Sequence, residues 1–332
     1  MKGRPGSRDD TAGLRIEAYG SERAAEWNDF VASSRNGTFL FDRRFMDYHA
    51  DRFHDASLLI RSRGRLRALL PAHRDGDDLL SHRGLTYGGL VVDAAAGAAD
   101  VKQMVEGVIR HCAEAGVRRL LYKTVPPFYH RLPAEDDRYA LFRVGATLVA
   151  RELLSAIPPG VAAPLSQLRK RMLKRSAGGD SPVTWDNCWD EYWSLLERVL
   201  LERHAQRPVH TLAEIQWLAG RFPDNIHLRV ARHRGEVAAG MVLFVTHTAV
   251  HVQYMAASEA SRKLGLLDRL VDEAMRDAQA SGRWFDFGIS TEAGGRRLNE
   301  GLARWKEGFG ARTVVHDTYE LQIANAMQKL GG

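Results

Sequence analysis

The apolar residues of this chain recur with two different periods, and the two periods alternate along the sequence. Helical spacing covers 101–115 and 266–280, and a glycine follows each segment, Gly116 and Gly282. A glycine at this position is typical of a helix C-terminus. Short apolar or alternating runs predict strands at 57–60, 66–71, 119–125, 227–231, 237–245, 249–256 and 284–289. The pattern therefore predicts a protein in which strands and helices alternate.

The two halves of the chain follow the same order of elements, which indicates an internal duplication of a mixed α/β unit. Each half has a strand, a turn at Arg63-Gly64 or Arg234-Gly235, further strands, the helix and a last strand. The segment Pro158-Pro159-Gly160 is a natural break between the halves. The predicted organisation is a disordered tail at 1–13, an N-terminal domain at 14–157 and a C-terminal domain at 158–332.

Composition narrows the class of protein. The chain is 45% hydrophobic and 27% charged, which is typical of a globular protein with a sizeable core. Its polar N-terminus lacks the apolar region of a secretory signal, and no apolar run is long enough to cross a bilayer. The two cysteines, Cys112 and Cys188, form no CxxC motif, which argues against a disulfide framework or a zinc–thiolate site. We expect a cytoplasmic protein.

Charge and motifs exclude several functions. The net charge of +6 is modest for 332 residues, so it permits a phosphate-bearing partner without requiring one. The sequence has no Gly-x-Ser-x-Gly, no P-loop and no His-Glu-x-x-His, which argues against serine hydrolases, nucleotide hydrolases and zinc proteases. We expect no bound metal, no DNA partner and no membrane span.

A set of short motifs in the second half resembles the GNAT-fold transferases of the Fem-type and BioF2-like group. The motifs are HAQRPVH at 204–210, FPDNI at 222–226, VQYMA at 252–256, FDFGISTE at 285–292, LNEGL at 298–302 and WKEGFGA at 305–311. The resemblance spans about 165–323, whereas the N-terminal half matches by its general plan only.

The resemblance implies a fold and a reaction. The fold is two tandem GNAT-like lobes, each a mixed, mostly antiparallel sheet flanked by helices, with the chemistry in the C-terminal lobe and an acceptor-shaping N-terminal lobe. The reaction is transfer of an acyl group from acyl-CoA to an amine, such as an amino sugar, a cell-envelope precursor or a small amino compound. Two alternatives remain open: transfer from aminoacyl-tRNA, and a non-catalytic ligand-binding relic.

One departure from the superfamily pattern weakens coenzyme A as the carrier. Members that bind acetyl-CoA show (Arg/Gln)-x-x-Gly-x-(Gly/Ala) before the main helix, and here the stretch runs from Arg262 and Lys263 through Gly265 to Leu267. A diphosphate needs close approach to the backbone N–H groups at a helix N-terminus. The side chain of Leu267 crowds that approach, although Arg262 and Lys263 still offer positive charge. Fem-type members lack the full motif too.

Acyl transfer to an amine needs a proton acceptor for the nucleophile and a group that stabilises the oxyanion. The resemblance places a lysine equivalent to Lys306 in the donor site. The candidate bases are the carboxylates Asp286 and Glu292 at a strand end and the histidines His204 and His210 around a turn. The hydroxyl of Tyr254 is a candidate for binding the carbonyl or protonating the leaving group.

Further residues are candidates for binding the donor or a substrate phosphate. The predicted donor-binding residues are Gln253, Arg262, Lys263, Gly265, Ser290 and Asn299. The predicted phosphate-binding residues are Arg169 and Lys170 in the basic stretch at 165–176, and Arg44 in the N-terminal half. Such a basic run is more often a solvated helix face, and the Fem resemblance is what favours a binding role.

Overall fold

Tight two-residue turns join the predicted strand pairs in both halves of the chain. Arg63 and Gly64 have φ angles of 50° and 78°, and Arg234 and Gly235 have 54° and 85°. Positive φ at both central residues is the geometry of a two-residue hairpin whose twist matches its strands. The matching turns agree with the predicted duplication.

The structure, a computed structural model, describes residues 13–331 except His82, Ala163 and 178–181, and the side chain of His204 is also outside the description. The predicted tail at 1–13 therefore lies outside the described residues apart from Gly13. The strands are β1 (Leu14–Ala18), β2 (His54–Asp55), β3 (Leu58–Ser62), β4 (Arg65–Leu70), β5 (His73–Asp75), β6 (Asp78–Leu80), β7 (Val91–Val92), β8 (Arg119–Lys123), β9 (Thr147–Ile157), β10 (Val183–Trp185), β11 (Ile226–His233), β12 (Glu236–Val245), β13 (Ala249–Ala257), β14 (Trp284–Ile289), β15 (Thr291–Glu292), β16 (Arg297–Leu298) and β17 (Arg312–Gln322).

The α-helices include the two that helical spacing predicts, at 101–115 and 266–280. They are α1 (Ala24–Ser33), α2 (Arg43–Met46), α3 (Ala98–Glu114), α4 (Asp136–Arg143), α5 (Gln167–Ser176), α6 (Trp189–His204), α7 (Leu212–Arg221), α8 (Glu259–Leu264), α9 (Leu266–Ala280), α10 (Glu300–Glu307) and α11 (Ile323–Gly331). Helix α9 has the predicted bounds, and its buried face is Leu266, Leu270, Val271, Ala274, Met275 and Ala278. This spacing of three and four residues gives one apolar stripe.

The chain divides into two compact units, and the division differs from the predicted boundary at 157/158. The N-terminal unit comprises Met1–Ala150 and Asp317–Gly332, and the C-terminal unit comprises Arg151–His316. The boundary therefore falls inside β9. The last residues join the first unit because β17 pairs with β8, from Thr318 with Lys123 to Gln322 with Arg119. Strand pairing of such distant segments leaves no local signal in the sequence.

The N-terminal unit contains two sheet portions around one apolar cluster. Strands β1, β3, β4 and β7 form one antiparallel sheet, and β17, β8, β6, β5 and β2 follow one another in the second. Only the pair β6–β8 is parallel in that second portion. The cluster joins residues of β3 and β4 to the buried face of α3, including Val101, Val105 and Ile109.

The C-terminal unit is a mixed sheet with helices on both faces. Its strands run in the order β10, β11, β12, β13, β14 and β9, and only β13–β14 is parallel. Met241 and Leu243 of β12 belong to the apolar cluster that includes α9. Gly240, on the opposite face of β12, lies against the ring of Tyr192 in α6. The predicted mixed, mostly antiparallel sheets flanked by helices are confirmed.

Candidate functional site

The sheet of the C-terminal unit is irregular where β13 and β14 meet. Their parallel pairing covers three residue pairs and ends at His251 with Asp286, although both strands continue. The register of β12 with β13 shifts so that Gln253 has no opposite residue. The register of β14 with β9 shifts next to Gly288, whose φ is 73°. Such bulges re-aim side chains and end regular pairing, and they are frequent next to active sites.

A buried carboxylate–imidazole pair lies at this irregularity. The Asp286 side chain is 1% exposed, and its Oδ2 is 2.7 Å from Nδ1 of His251. Its Oδ1 accepts a hydrogen bond of 2.8 Å from the backbone N–H of Gly288. Asp286 therefore orients the imidazole and supports the bulge. Sequence reasoning selected Asp286 and missed His251, whose signal is a histidine between two valines of a predicted strand.

Lys306 is buried beside the same bulge. Helix α10 begins after Asn299, whose side chain accepts a hydrogen bond from the N–H of Leu302, and seven residues later places Lys306 under β14. Its Nζ donates to the carbonyl oxygens of Gly288, at 2.9 Å, and Ile289, at 2.6 Å. An ammonium has three N–H donors, and two of them are used here. Burial lowers the pKa of Lys306 to about 8, and the charge of Asp286 acts in the opposite direction.

This lysine should make stability depend on pH in the alkaline range. The folded pKa of about 8 lies below the reference value of 10.5, so between these values the unfolded chain binds more protons than the folded one. The free energy of unfolding should therefore gain about 3 kcal/mol from this group as pH rises through that window. Urea unfolding of wild type and Lys306→Met at pH 7 and pH 10 measures the difference. An equal pH dependence in both proteins contradicts the prediction.

A tyrosine–histidine pair lies further along β13. The hydroxyl oxygen of Tyr254 is 2.6 Å from Nδ1 of His210 and accepts a 3.2 Å hydrogen bond from the backbone N–H of His210. The ring of Trp193 in α6 packs edge-on against Tyr254 with a centroid distance of 5.3 Å. The structure thus brings two predicted residues, His210 and Tyr254, into direct contact.

Other predicted residues lie apart from these pairs or serve the fold. Glu292 is paired with Arg297 in the exposed β15–β16 hairpin, so its carboxylate is already neutralised. Asn299 caps α10 as described above. Ser290 is buried, with its hydroxyl 3.4 Å from that of Ser155. His204 ends α6, and its side chain lies outside the described residues.

The stretch predicted to bind the donor, from Arg262 to Gly265, is mostly helical. Arg262 and Lys263 belong to the short helix α8, and Lys263 is exposed and paired with Glu259. Gly265 joins α8 to α9 with a φ of 76°, and a Cβ there would overlap the carbonyl oxygen of Met172 in α5. Glycine is therefore needed at this position because α5 packs against it, and the packed backbone adds to the crowding already expected from Leu267.

Arg169 is likewise a structural residue. Its guanidinium forms a buried ion pair with Asp268 in the first turn of α9 and lies 5.4 Å from the ring centroid of Phe309. Its charge is therefore neutralised within the protein, and the predicted phosphate-binding role is not supported. Lys170 is exposed on the other side of α5. Arg44, in the N-terminal unit, forms an ion pair with Asp42.

The described part of the chain lacks two features that would imply a metal or a membrane span. Within it, no group of three or more histidine, cysteine, aspartate or glutamate side chains is arranged to hold a metal ion. Among the same residues, no helix is both long and apolar enough to cross a bilayer.

Comparison with known proteins agrees with this geometry. Residues 165–307 match the family described as acetyltransferase (GNAT) domain. FemX has a TM-score of 0.64 at 10% identity, over 91% of this chain and 96% of FemX. The C-terminal domain of a putative lysylphosphatidylglycerol synthetase from Agrobacterium fabrum has a TM-score of 0.59 at 16% identity, over 94% and 95%. L-PGS from Bacillus licheniformis has a TM-score of 0.55 at 10% identity, over 95% of this chain and 97% of that protein's chain.

A search of curated protein sequences finds no match. At these identities the structural likenesses establish the fold, and the family match establishes the domain. Both confirm the resemblance inferred from the motifs between 204 and 311. Residues 165–307 therefore match a GNAT acetyltransferase domain, and the chain has a fold similar to that of FemX.

Proposed function

We propose that this protein is an N-acyltransferase that moves an aminoacyl group from an RNA-borne ester to an amine. The observation that carries the proposal is that the diphosphate position of acetyl-CoA-binding GNAT proteins is filled here from within the chain. At the N-terminus of α9, Met172 lies against Gly265, and the carboxylate of Asp268 occupies the first turn. A carboxylate at a helix N-terminus takes the place of the anion that this end attracts.

The residues at this position therefore do not fit coenzyme A. Burial raises the pKa of Asp268 above its usual value, although the charge of the adjacent Arg169 acts in the opposite direction. Asp268 and Arg169 form a buried ion pair. A diphosphate would have to displace both the ion pair and the backbone of α5. An aminoacyl ester on a nucleic acid needs no such site. Among the fold relatives, the name lysylphosphatidylglycerol synthetase states an aminoacyl product.

The exposed side of α5 offers charge for an RNA backbone instead. Its solvent-facing cations are Lys170, Arg171, Lys174 and Arg175, and α5 contains no acidic residue. Lys170 and Lys174 are one helical turn apart on the same face. When such side chains neutralise phosphates, the affinity for the nucleic acid falls steeply as the salt concentration rises.

The chemistry assigned to the site follows from Lys306. An amine attacks the acyl carbonyl carbon of the ester, and negative charge develops on the carbonyl oxygen. The third N–H of the Lys306 ammonium is directed to that oxygen, because the other two bind the carbonyls of Gly288 and Ile289. His251 and Asp286 hold the bulge that positions those carbonyls.

Thermal stability with ligand tests the carrier. If acetyl-CoA bound with a Kd of about 10 µM, 1 mM ligand would stabilise the fold by about 2.7 kcal/mol. The melting temperature would then rise by about 4 °C. We expect no shift with acetyl-CoA, and retention of aminoacylated tRNA in a filter-binding assay at low salt.

A matched pair of variants completes this experiment. Lys170→Glu/Lys174→Glu should abolish tRNA retention, whereas Glu300→Lys on the exposed face of α10 should not reduce it. A clear melting shift with acetyl-CoA, or tRNA retention that is insensitive to the α5 double variant, contradicts the proposal.

A further inference from the structure

An exposed tryptophan on β10 is held in place by the charged and aromatic groups around it. Trp185 is 51% exposed, and its partner across the antiparallel pair β10–β11 is Arg229. The Arg229 guanidinium lies over the indole, 4.6 Å from the ring centroid, and is itself paired with Glu273 and Asp277 of α9. The ring of His227 lies edge-on to the indole at 5.6 Å. One face of the indole is therefore covered, and its other face remains open for stacking.

The same tryptophan forms part of the wall of a cavity. Trp185 and His227 line a space of about 430 Å³ whose inner surface is aliphatic. Leu243 and Val245 of β12 point to the same face of the sheet, and Val250 of β13 is paired with Val245 beside them. Small-molecule sites in proteins have volumes of roughly 300 to 1,000 Å³. The cavity is therefore large enough for a small ligand with a flat ring.

Two charged side chains at the opening of this cavity are able to bind a ligand. The carboxylate of Asp277 is 56% exposed, and only its Oδ2 contacts Arg229. It can therefore accept further hydrogen bonds from hydroxyl or amino groups. The Nε of Arg283 donates to the carbonyl oxygen of Thr246 at 2.9 Å, and within the part of the chain that the structure describes no carboxylate is paired with its guanidinium. Its terminal nitrogens can therefore donate to a phosphate.

The cavity is separate from the region assigned to acyl transfer. Arg283 directly precedes β14, whereas Lys306 binds the carbonyl oxygen of Gly288 near the other end of that strand. At about 3.3 Å per residue, the backbones of Arg283 and Gly288 are roughly 15 Å apart. Asp277 lies in the last turn of α9, whereas Asp268 lies in its first turn. The cavity therefore belongs neither to the Lys306 site nor to the N-terminus of α9.

We propose that this cavity binds a nucleoside monophosphate unit, with its base stacked on Trp185 and its phosphate bound by Arg283. Every nucleobase has a π-face that stacks on an aromatic side chain. Hydroxyl or amino groups of the nucleotide donate to Asp277. An aliphatic chain would leave both charged side chains unused, and an inorganic anion would leave the indole and the aliphatic surface unused. The inference goes beyond the proposed function and does not depend on it.

Calorimetric titration of the full chain with AMP and with adenosine tests the site. Wild type should bind AMP about tenfold more tightly than adenosine, which has no phosphate for Arg283. Trp185→Ala should weaken the binding of both by about tenfold or more, because stacking is lost. Trp185→Phe should retain most of the affinity, since a phenyl ring still stacks. Circular dichroism checks that each variant is folded.

A second exposed tryptophan provides the matched control. Trp217 is 43% exposed, and the guanidinium of Arg221 lies 4.2 Å from its ring centroid, but Trp217 lies outside this cavity. Trp217→Ala should leave AMP affinity within about twofold, as is usual for surface substitutions.

A pair of arginine variants tests the phosphate contact. Arg283→Gln should lower the affinity for AMP by about tenfold and leave adenosine binding nearly unchanged. Arg276→Gln should change neither, because this exposed residue of α9 is already paired with Asp272.

Single-stranded hexaadenylate distinguishes the two sources of such a ligand. Binding that is at least about tenfold tighter than that of AMP, and that is lost in Trp185→Ala, identifies an RNA strand. Affinity equal to that of AMP identifies a free nucleotide.

The outcomes that overturn the site are separate from those that concern acyl transfer. Absence of binding at millimolar AMP, or equal losses in Trp185→Ala and Trp217→Ala, overturns the nucleotide site. Failure of the wild type to transfer an aminoacyl group from charged total tRNA to hydroxylamine overturns the proposed function instead, because the binding titrations involve no acyl transfer.

Discussion

Replacing Lys306 by methionine is expected to lower kcat/KM for acyl transfer by about 10²- to 10³-fold, the usual loss when one oxyanion donor is removed. Methionine keeps most of the volume of the buried side chain, so the effect reports the lost ammonium. Transfer from charged tRNA to hydroxylamine, with folding checked by circular dichroism, measures it.

The pH profile of the wild type tests the same role, because the direction in which activity changes depends on which form of Lys306 is active. If the ammonium stabilises the oxyanion, activity should fall as pH rises through the Lys306 pKa of about 8, because the neutral amine predominates above it. If Lys306 instead acted as a base, activity would rise through the same pH.

The control for Lys306 lies on the same helix. Arg304 is two residues away, exposed and paired with Glu300. Arg304→Ala should leave activity within about twofold, because exposed ion pairs contribute little. Wild-type activity in Lys306→Met, or a comparable loss in Arg304→Ala, removes Lys306 from the mechanism.

Replacing Asp268 by alanine is expected to destabilise the protein by about 3 to 5 kcal/mol, because it leaves the buried Arg169 without a counter-charge. The guanidinium would remain buried near the rings of Phe309 and Trp305. The free energy of unfolding in urea measures the loss.

A double variant separates the electrostatic contribution of the ion pair to stability from the packing contribution of its two side chains. Arg169→Met/Asp268→Leu should recover most of the stability, since apolar replacement of a buried pair is often neutral or stabilising. Glu300→Ala, which breaks an exposed pair, should cost less than about 1 kcal/mol. A loss in Asp268→Ala no larger than that of Glu300→Ala contradicts the assigned burial of the pair.

The sequence alone determined the elements with strong periodicity. Helix α9 was predicted at its observed bounds, because residues three and four apart must lie on one face of a helix. The strands β11 to β14 and both Arg-Gly turns were also predicted, because alternation and turn chemistry are local properties. The motifs between 204 and 311 were enough to indicate the GNAT domain that the family match confirms.

Within the site, sequence reasoning selected Lys306, Asp286, His210 and Tyr254, and their catalytic roles stay predictions. It did not find His251, whose role depends on the register that pairs it with Asp286. It also chose Glu292 as a base, Arg169 as a phosphate-binding residue and Gly265 as a donor-binding residue, because a sequence does not show which charges neutralise each other or which backbones touch.

Only the tertiary structure decided how the two units divide and what fills the N-terminus of α9. Pairing of β17 with β8 joins segments about two hundred residues apart, and contacts at that separation leave no periodic trace. The ion pair of Arg169 with Asp268 also joins separate segments. Local patterns determine which elements form, whereas burial and pairing between distant elements determine which polar side chains remain able to bind a substrate.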